Sequence, residues 1–184
     1  LDVPSSDAIE VMSRGELDLA VLASWDEAPS PGPDLRLRTI LEDPMVVAFA
    51  SDHPLASRTG PVPLSALADE SWVVILGGTA ARQQFDRVTR EAGFEPRIRF
   101  ETDSYDVAQA LVATGYGVAL VSRMALRQDP DLAHRPLRHR STHHRAHRTI
   151  HTLIPARATP LATDFEALLA ATAAELVVPS PPGK

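Results

Sequence analysis

ETDSYDVAQALVATGYGVALVS, residues 101–122, decides the fold. The stretch leaves a strand, turns at Thr102-Asp103, predicts a helix from about Ser104 to Thr114, and returns as a strand. Asp103 is placed to cap the helix, and Asp106 adds favourable charge to its first turn. Val107, Ala110, Leu111 and Thr114 recur at helical spacing and are expected to face a sheet. Gly115 suits the left-handed position after a helix, and Gly117 gives the next strand a close start. Val118-Ala119-Leu120-Val121 is too apolar for a half-exposed strand, so it predicts a parallel strand covered on both faces. The whole reads as one βαβ unit.

Working outward, the same alternation recurs. Asp7 and Glu10 form a capping-box-like pair for a helix near 6–14, which Gly15 ends. Leu17 to Leu22 is a strand, and SWDEAPSPGPD (24–34) is a loop broken by three prolines and a glycine. Leu35 to Leu41 alternates as a half-exposed strand, whereas Met45 to Ala50 reads as a separate, buried one. A short helix is expected at Leu64–Leu67. Trp72 to Leu76 is a strand ending on Gly77-Gly78-Thr79, before a helix that carries Phe85, Val88 and Ala92 on one stripe and stops at Gly93. Arg97 to Glu101 alternates into the opening unit. Downstream, Thr149 to Ile154 is the last clear strand. Thr159-Pro160 starts a final helix whose core stripe is Leu161, Phe165, Leu168, Leu169, Thr172 and Leu176.

Composition sets the limits. The chain has 184 residues, enough for one α/β domain or two small lobes. It has no cysteine, so it carries neither a disulfide framework nor a thiolate metal site. No apolar run approaches about 20 residues, and no export leader opens the chain, so the expected compartment is the cytoplasm. Net charge is −6, although residues 134–151 hold five Arg, six of the seven His and no acid, leaving −11 elsewhere. That balance argues against broad electrostatic binding of nucleic acid, and specific duplex binding by this chain alone is not expected.

The expected fold class is α/β: two Rossmann-like lobes with mainly parallel sheets, joined by two crossover segments, with a ligand cleft between them. The motifs also carry a resemblance. RGELDLAVL (14–22), LEDPMVVAFASDHPLA (41–56), EAGFEPRIRFETD (91–103) and LVATGYGVALVS (111–122) stand in an order and spacing that resembles the C-terminal effector-binding (inducer-sensing) domain of LysR-type transcriptional regulators. The resemblance runs from about Leu1 to Leu176. It implies two lobes like those of type 2 periplasmic binding proteins, with a small-molecule inducer in the cleft. It implies lobe I at 1–48 plus 150–178, lobe II at 49–149 and a flexible tail at 179–184. It also implies an N-terminal winged helix-turn-helix, absent from this chain, through which DNA would be bound. A homodimer or higher homo-oligomer is implied as well, with strand Leu1–Val3 as one candidate surface and helix 80–92 with strand 97–101 as the other. The family's pattern normally begins with another strand and helix ahead of Leu1. The alternative is a solute-binding component of a transport system with the same two-lobed fold.

Ligands of parallel α/β sheets sit beyond the carboxyl ends of the strands, where loops and helix N-termini converge. The expected effector contacts are therefore Ala23 and Ser24, Gly77, Gly78 and Thr79, Thr102 and Ser104, and Val121 and Ser122. Their hydroxyls and the N–H groups after Gly78 favour a small polar or carboxylate-bearing molecule. Gly115-x-Gly117 is structural, because its glycines end a helix instead of opening one. No nucleophile motif accompanies His53, which is expected to shape a connection with Pro54, so the chain reads as a binding protein with no catalytic residues and no cofactor. His143, His147 and His151 would have ligand-like spacing on a helix. Strand-like Arg148-Thr149-Ile150 breaks that spacing, and the neighbouring arginines repel cations, so no metal site is assigned.

Overall fold

The computed structural model describes residues 7–25, 27–138 and 146–176, and the candidate strand Leu1–Val3 lies outside them. The chain divides into two compact units, 1–42 with 148–184 and 43–147.

In the first unit, α1 (Ala8–Ser13) precedes β1 (Ala20–Ser24), and β2 (Leu35–Ala50) begins. β8 (His147–Pro155) and α4 (Pro160–Leu176) complete it. Asp7 stands at the N-cap of α1 without making a side-chain capping bond, so the expected capping box does not form. β1 pairs antiparallel with β8 from Ala20↔Leu153 to Ser24↔Thr149, and β8 lies between β1 and β2. Ala8 and Met12 of α1 pack on Leu22, Leu35 and Leu153.

Helix α4 reverses the expected stripe. Ala162, Glu166 and Ala173 are its buried residues, while Leu161, Phe165, Leu168 and Leu176 are exposed at 79%, 49%, 60% and 55%. The reason is polar. Glu166 accepts from Arg36 Nη2 and from Thr152 Oγ1, each at 2.8 Å, which fixes the helix with its small residues against the sheet. Apolar periodicity cannot register an anchor made of charge.

The second unit contains the end of β2, then β3 (Val62–Pro63), a 3-10 turn at Leu64–Leu67, β4 (Ser71–Ile75) and α2 (Ala80–Glu91). β5 (Arg97–Thr102), α3 (Tyr105–Ala113), β6 (Ala119–Ser122) and β7 (Leu132–Arg138) follow. The α/β class holds, but the strand pairing is mixed. β4 and β5 are parallel, and Trp72 bridges Val118 in parallel. β2, in contrast, pairs antiparallel with both β6 and β7, which corrects the expectation of mainly parallel sheets. The two expected strands at 35–41 and 45–50 are one 16-residue strand. Pro44 does not break it, because the pairing with β6 starts one residue later, at Met45↔Ser122.

Val47, Phe49, Leu64, Leu67, Trp72, Phe85 and Val88 form one core, with Trp72 and Phe85 edge-to-face at 5.0 Å. Ala48, Val73, Ala108, Val112, Ala119 and Val121 form another. Helix α3 is rotated from its expected phase: Ala108, Gln109 and Val112 are buried, and Val107 is 48% exposed. Gln109 is held inside by donating to Tyr105 O and Ala125 O and accepting from Arg127 N. Gly117, at φ 153°, lies where a Cβ would stand 2.3 Å from Ser71 O, so the close approach expected there is real. Arg135, only 8% exposed, donates to the carbonyls of Leu55, Thr59 and Gly60 at 2.6–2.9 Å and ties down the connection between β2 and β3.

Candidate functional site

The second unit brings most of the expected contacts together. Because β4 and β5 run parallel, both carboxyl ends open on one edge, and Leu76 N donates to Thr102 O at 2.8 Å across the loops that follow. Each loop feeds a helix. Thr79 caps α2 by accepting from Arg82 N at 3.1 Å, and its own proton goes to Leu76 O at 2.9 Å. Gly78 adopts φ 84°, the left-handed turn that the Gly-Gly pair permits. Ser104 caps α3, accepting from Asp106 N at 3.2 Å and Val107 N at 3.5 Å, while Thr102 Oγ1 accepts from Ser104 N. The cap is thus Ser104 and not Asp103, which lies on the exposed turn ahead of it. Two helix N-termini, each with a partial positive charge, stand at the ends of neighbouring strands.

β6 runs parallel to β4, with Val118 N donating to Ser71 O at 2.8 Å and Val73 N to Val118 O at 2.9 Å, so its end at Val121-Ser122 lies on the same edge. Both residues are buried. Ser122 Oγ donates to Asp43 Oδ2, and Met124 N donates to Asp43 Oδ1 at 3.1 Å. Asp43, 1% exposed, is a residue that the sequence reading missed. It lies in the middle of β2, between the two stretches that the sequence presents as separate strands, where a carboxylate reads as part of a connection.

Of the expected hydroxyls, Thr79 spends its proton on Leu76 O and one lone pair on Arg82 N, which leaves it one acceptor position. The amides of Ala80 and Ala81 precede the two first-turn N–H groups that Thr79 already satisfies. A cavity of about 520 Å³ in this unit is lined by other residues, among them Arg82, Asp86, Arg90, Phe94 and Ile98. Arg82 is held at 2.8 Å by both Asp86 and Glu101.

In the first unit, Ala23 and Ser24 fall inside β1 near its carboxyl end. Ser24 Oγ is 2.8 Å from His151 Nε2, and Thr39 Oγ1 is 3.0 Å from His151 Nδ1. The sequence placed His151 in the last clear strand and weighed it only as a metal ligand, not as a partner of Ser24. Alternation along β8 was the signal available, since it sets His151 on the same face as buried Leu153. His147 and His151 sit on a strand and not a helix, roughly 13 Å apart at about 3.3 Å per residue, so their helical ligand spacing does not arise. His139, His143 and His144 lie outside the described residues. His53 shapes a turn: Nδ1 accepts from Leu55 N at 3.1 Å, Nε2 lies 3.3 Å from Glu70, and the ring stacks on Phe49 at 4.9 Å.

Comparison with known proteins places this chain among α/β domains of the same fold and then gives its family. The LysR substrate-binding domain family matches residues 2–174, and the chain belongs to that family. It is 33% identical over 140 residues to the HTH-type transcriptional regulator CysL of Bacillus subtilis (strain 168), covering 74% of this chain and 44% of that protein. The chain spans less than half the length of the curated relatives it matches. Among solved structures, the C-terminal domain of a probable LysR family transcriptional regulator from Rhodococcus sp. RHA1 superposes with a TM-score of 0.69 at 23% identity, over 91% of this chain and 81% of that one. The regulatory domain of Synechocystis PCC6803 CcmR in complex with 2-PG gives 0.70 at 21% identity, over 93% and 80%. No helix among the described residues is long and apolar enough to cross a membrane.

Proposed function

We propose that this chain is the effector-sensing part of a cytoplasmic LysR-type transcriptional regulator, and that it binds and does not catalyse. The family match over 2–174 carries the reading. The proposed contacts of a small polar or carboxylate-bearing molecule are Gly77, Gly78, Thr79, Thr102, Ser104, Val121 and Ser122 in the second unit and, taken separately, Ala23 and Ser24 in the first. The paired N-termini of α2 and α3 supply N–H groups and positive partial charge, which support an anionic or acceptor-rich group there. The effector acts by binding two states of the domain with different affinity, and that difference shifts DNA binding by the full-length protein. The full-length protein works as a homodimer or higher homo-oligomer, with α2 and β5 as the proposed contact in this half of the chain.

Thermal-shift screening of small organic acids and amino acids tests the reading. Compounds that raise the melting temperature are expected, with affinities weakened about tenfold or more by Ser24→Ala and Ser122→Ala. Stabilising compounds whose affinities ignore both substitutions would show the contacts to be misplaced.

A further inference from the structure

Three side chains from three strands form a hydrogen-bonded chain in the first unit. Ser24 comes from β1, His151 from β8 and Thr39 from β2, and β8 lies between the other two. The ring is 1% exposed, and both of its nitrogens have hydroxyl partners, Nε2 at 2.8 Å and Nδ1 at 3.0 Å. A neutral imidazole carries one N–H and one bare nitrogen. One hydroxyl therefore receives a proton from the ring and keeps its own to offer outward. The other spends its proton on the ring and can only accept from elsewhere. Ser24 and Thr39 thus show opposite polarity to anything that meets them, and the tautomer decides which is which.

We propose that His151 is a positioning residue that sets the outward hydrogen-bond polarity of Ser24, and so selects whether the effector group met there accepts or donates. The proposal rests on the reading that places Ser24 among the effector contacts. An anionic group at Ser24 needs a donor, which requires either the Nε2–H tautomer or the imidazolium. With a protonated ring both nitrogens donate, and both hydroxyls are released to donate outward. Burial lowers the His151 pKa from its ordinary 6.5, so the empty domain holds the ring neutral at pH 7. An anion at Ser24 stabilises the imidazolium and raises that pKa, so its binding takes up a proton. Affinity for an anion then rises as pH falls from the pKa of the complex towards that of the empty domain, by up to about tenfold per pH unit.

The charged or titratable side chains on or flanking the elements around β8 are Asp7, Glu10 and Arg14 at α1, Arg36, Arg38, Glu42 and Asp43 of β2, His147 and Arg148 of β8, and Asp164, Glu166 and Glu175 of α4. β1 has none. Glu10 is paired with Arg14, and Glu166 is held by Arg36 and Thr152 on the opposite face of β8. The hydrogen bonds described for the ring itself go to hydroxyls.

Nitrogen NMR of the ligand-free chain, labelled with 15N-histidine, decides the matter. Losing the partner of an N–H costs more than losing the partner of a bare nitrogen, so Ser24→Ala should move the proton towards Nδ1 and Thr39→Val towards Nε2. Ser24→Thr, which keeps the hydroxyl, should restore the wild-type ratio. A tautomer ratio that neither Ser24→Ala nor Thr39→Val moves would overturn the proposal whatever the domain binds. Acetate, a minimal carboxylate probe, should then shift the His151 nitrogens towards Nε2–H or the imidazolium, more at pH 6 than at pH 8, and not in Ser24→Ala. Acetate that perturbs the Ser24 amide but leaves the ring unmoved would also overturn it. If acetate perturbs no amide at 23–24, 77–79 or 102–104, the anionic-effector reading fails, and the ligand-free tautomer ratios still decide the role of His151.

Discussion

Single residues here are constrained by neighbours far away in sequence, and two of them give sharp expectations. Gly117 combines φ 153° with a position where a Cβ would meet Ser71 O at 2.3 Å. Gly117→Ala is expected to cost roughly 2–5 kcal/mol, the sum of backbone strain and overpacking, read from urea unfolding. A cost below about 1 kcal/mol would mean that β4 and the start of β6 do not approach so closely. His151 gives the pH dependence. Its folded pKa lies below the ordinary 6.5, so between those two values the unfolded chain binds the extra proton. Stability should therefore fall as pH drops below about 6.5, and level off below the folded value. His151→Gln should remove that part of the slope; an unchanged slope would place the titration elsewhere. The sequence made Gly117 legible, because Gly-x-Gly after a helix restricts the backbone locally. It did not reveal His151 or Asp43, whose partners are 112–127 and 79–81 residues away.

Elements were legible where local chemistry fixed them. The α2 stripe of Phe85 and Val88, its start after Gly77-Gly78-Thr79 and the stop at Gly93 follow from residues within a few positions of one another. Phase was harder to read. In α3 and α4 the buried face contains a polar residue, Gln109 or Glu166, whose hydrogen bonds offset its desolvation. Reading apolar spacing alone turned α3 part of the way round and α4 inside out. The α4 case can be tested by two substitutions one residue apart. Glu166→Gln should cost about 1–3 kcal/mol, because a buried charged acceptor is replaced between Arg36 and Thr152. Phe165→Ser, on the exposed side, should cost under about 1 kcal/mol in this chain. The reverse ranking in denaturant unfolding would restore the apolar stripe to the core.

At the scale of the molecule, the order of strands and helices gave the α/β class, and the four motifs gave the family. Pairing direction was not legible, since Val118–Val121 presents the same apolar run to a parallel neighbour at Trp72 and to antiparallel β2. The candidate site was half legible. Strand ends and small hydroxyl residues marked Thr79 and Ser104 correctly as sitting at helix starts, while the carboxylate behind Ser122 carried no local mark and the imidazole behind Ser24 only the alternation of its strand.

Arg135 has a consequence for how the chain meets a protease. Its guanidinium grips the carbonyls of Leu55, Thr59 and Gly60, so the exposed Arg58 lies in a segment clamped on both sides. A scissile bond must be drawn out into an extended conformation before trypsin can cut it, and a clamped loop resists that. Arg135→Met keeps the stem and removes the clamp, so cleavage after Arg58 should speed up by about tenfold or more relative to cleavage at other exposed arginines such as Arg123. Equal rates at Arg58 in the two proteins would mean that the loop is held by its own turns and that the buried guanidinium is a passenger.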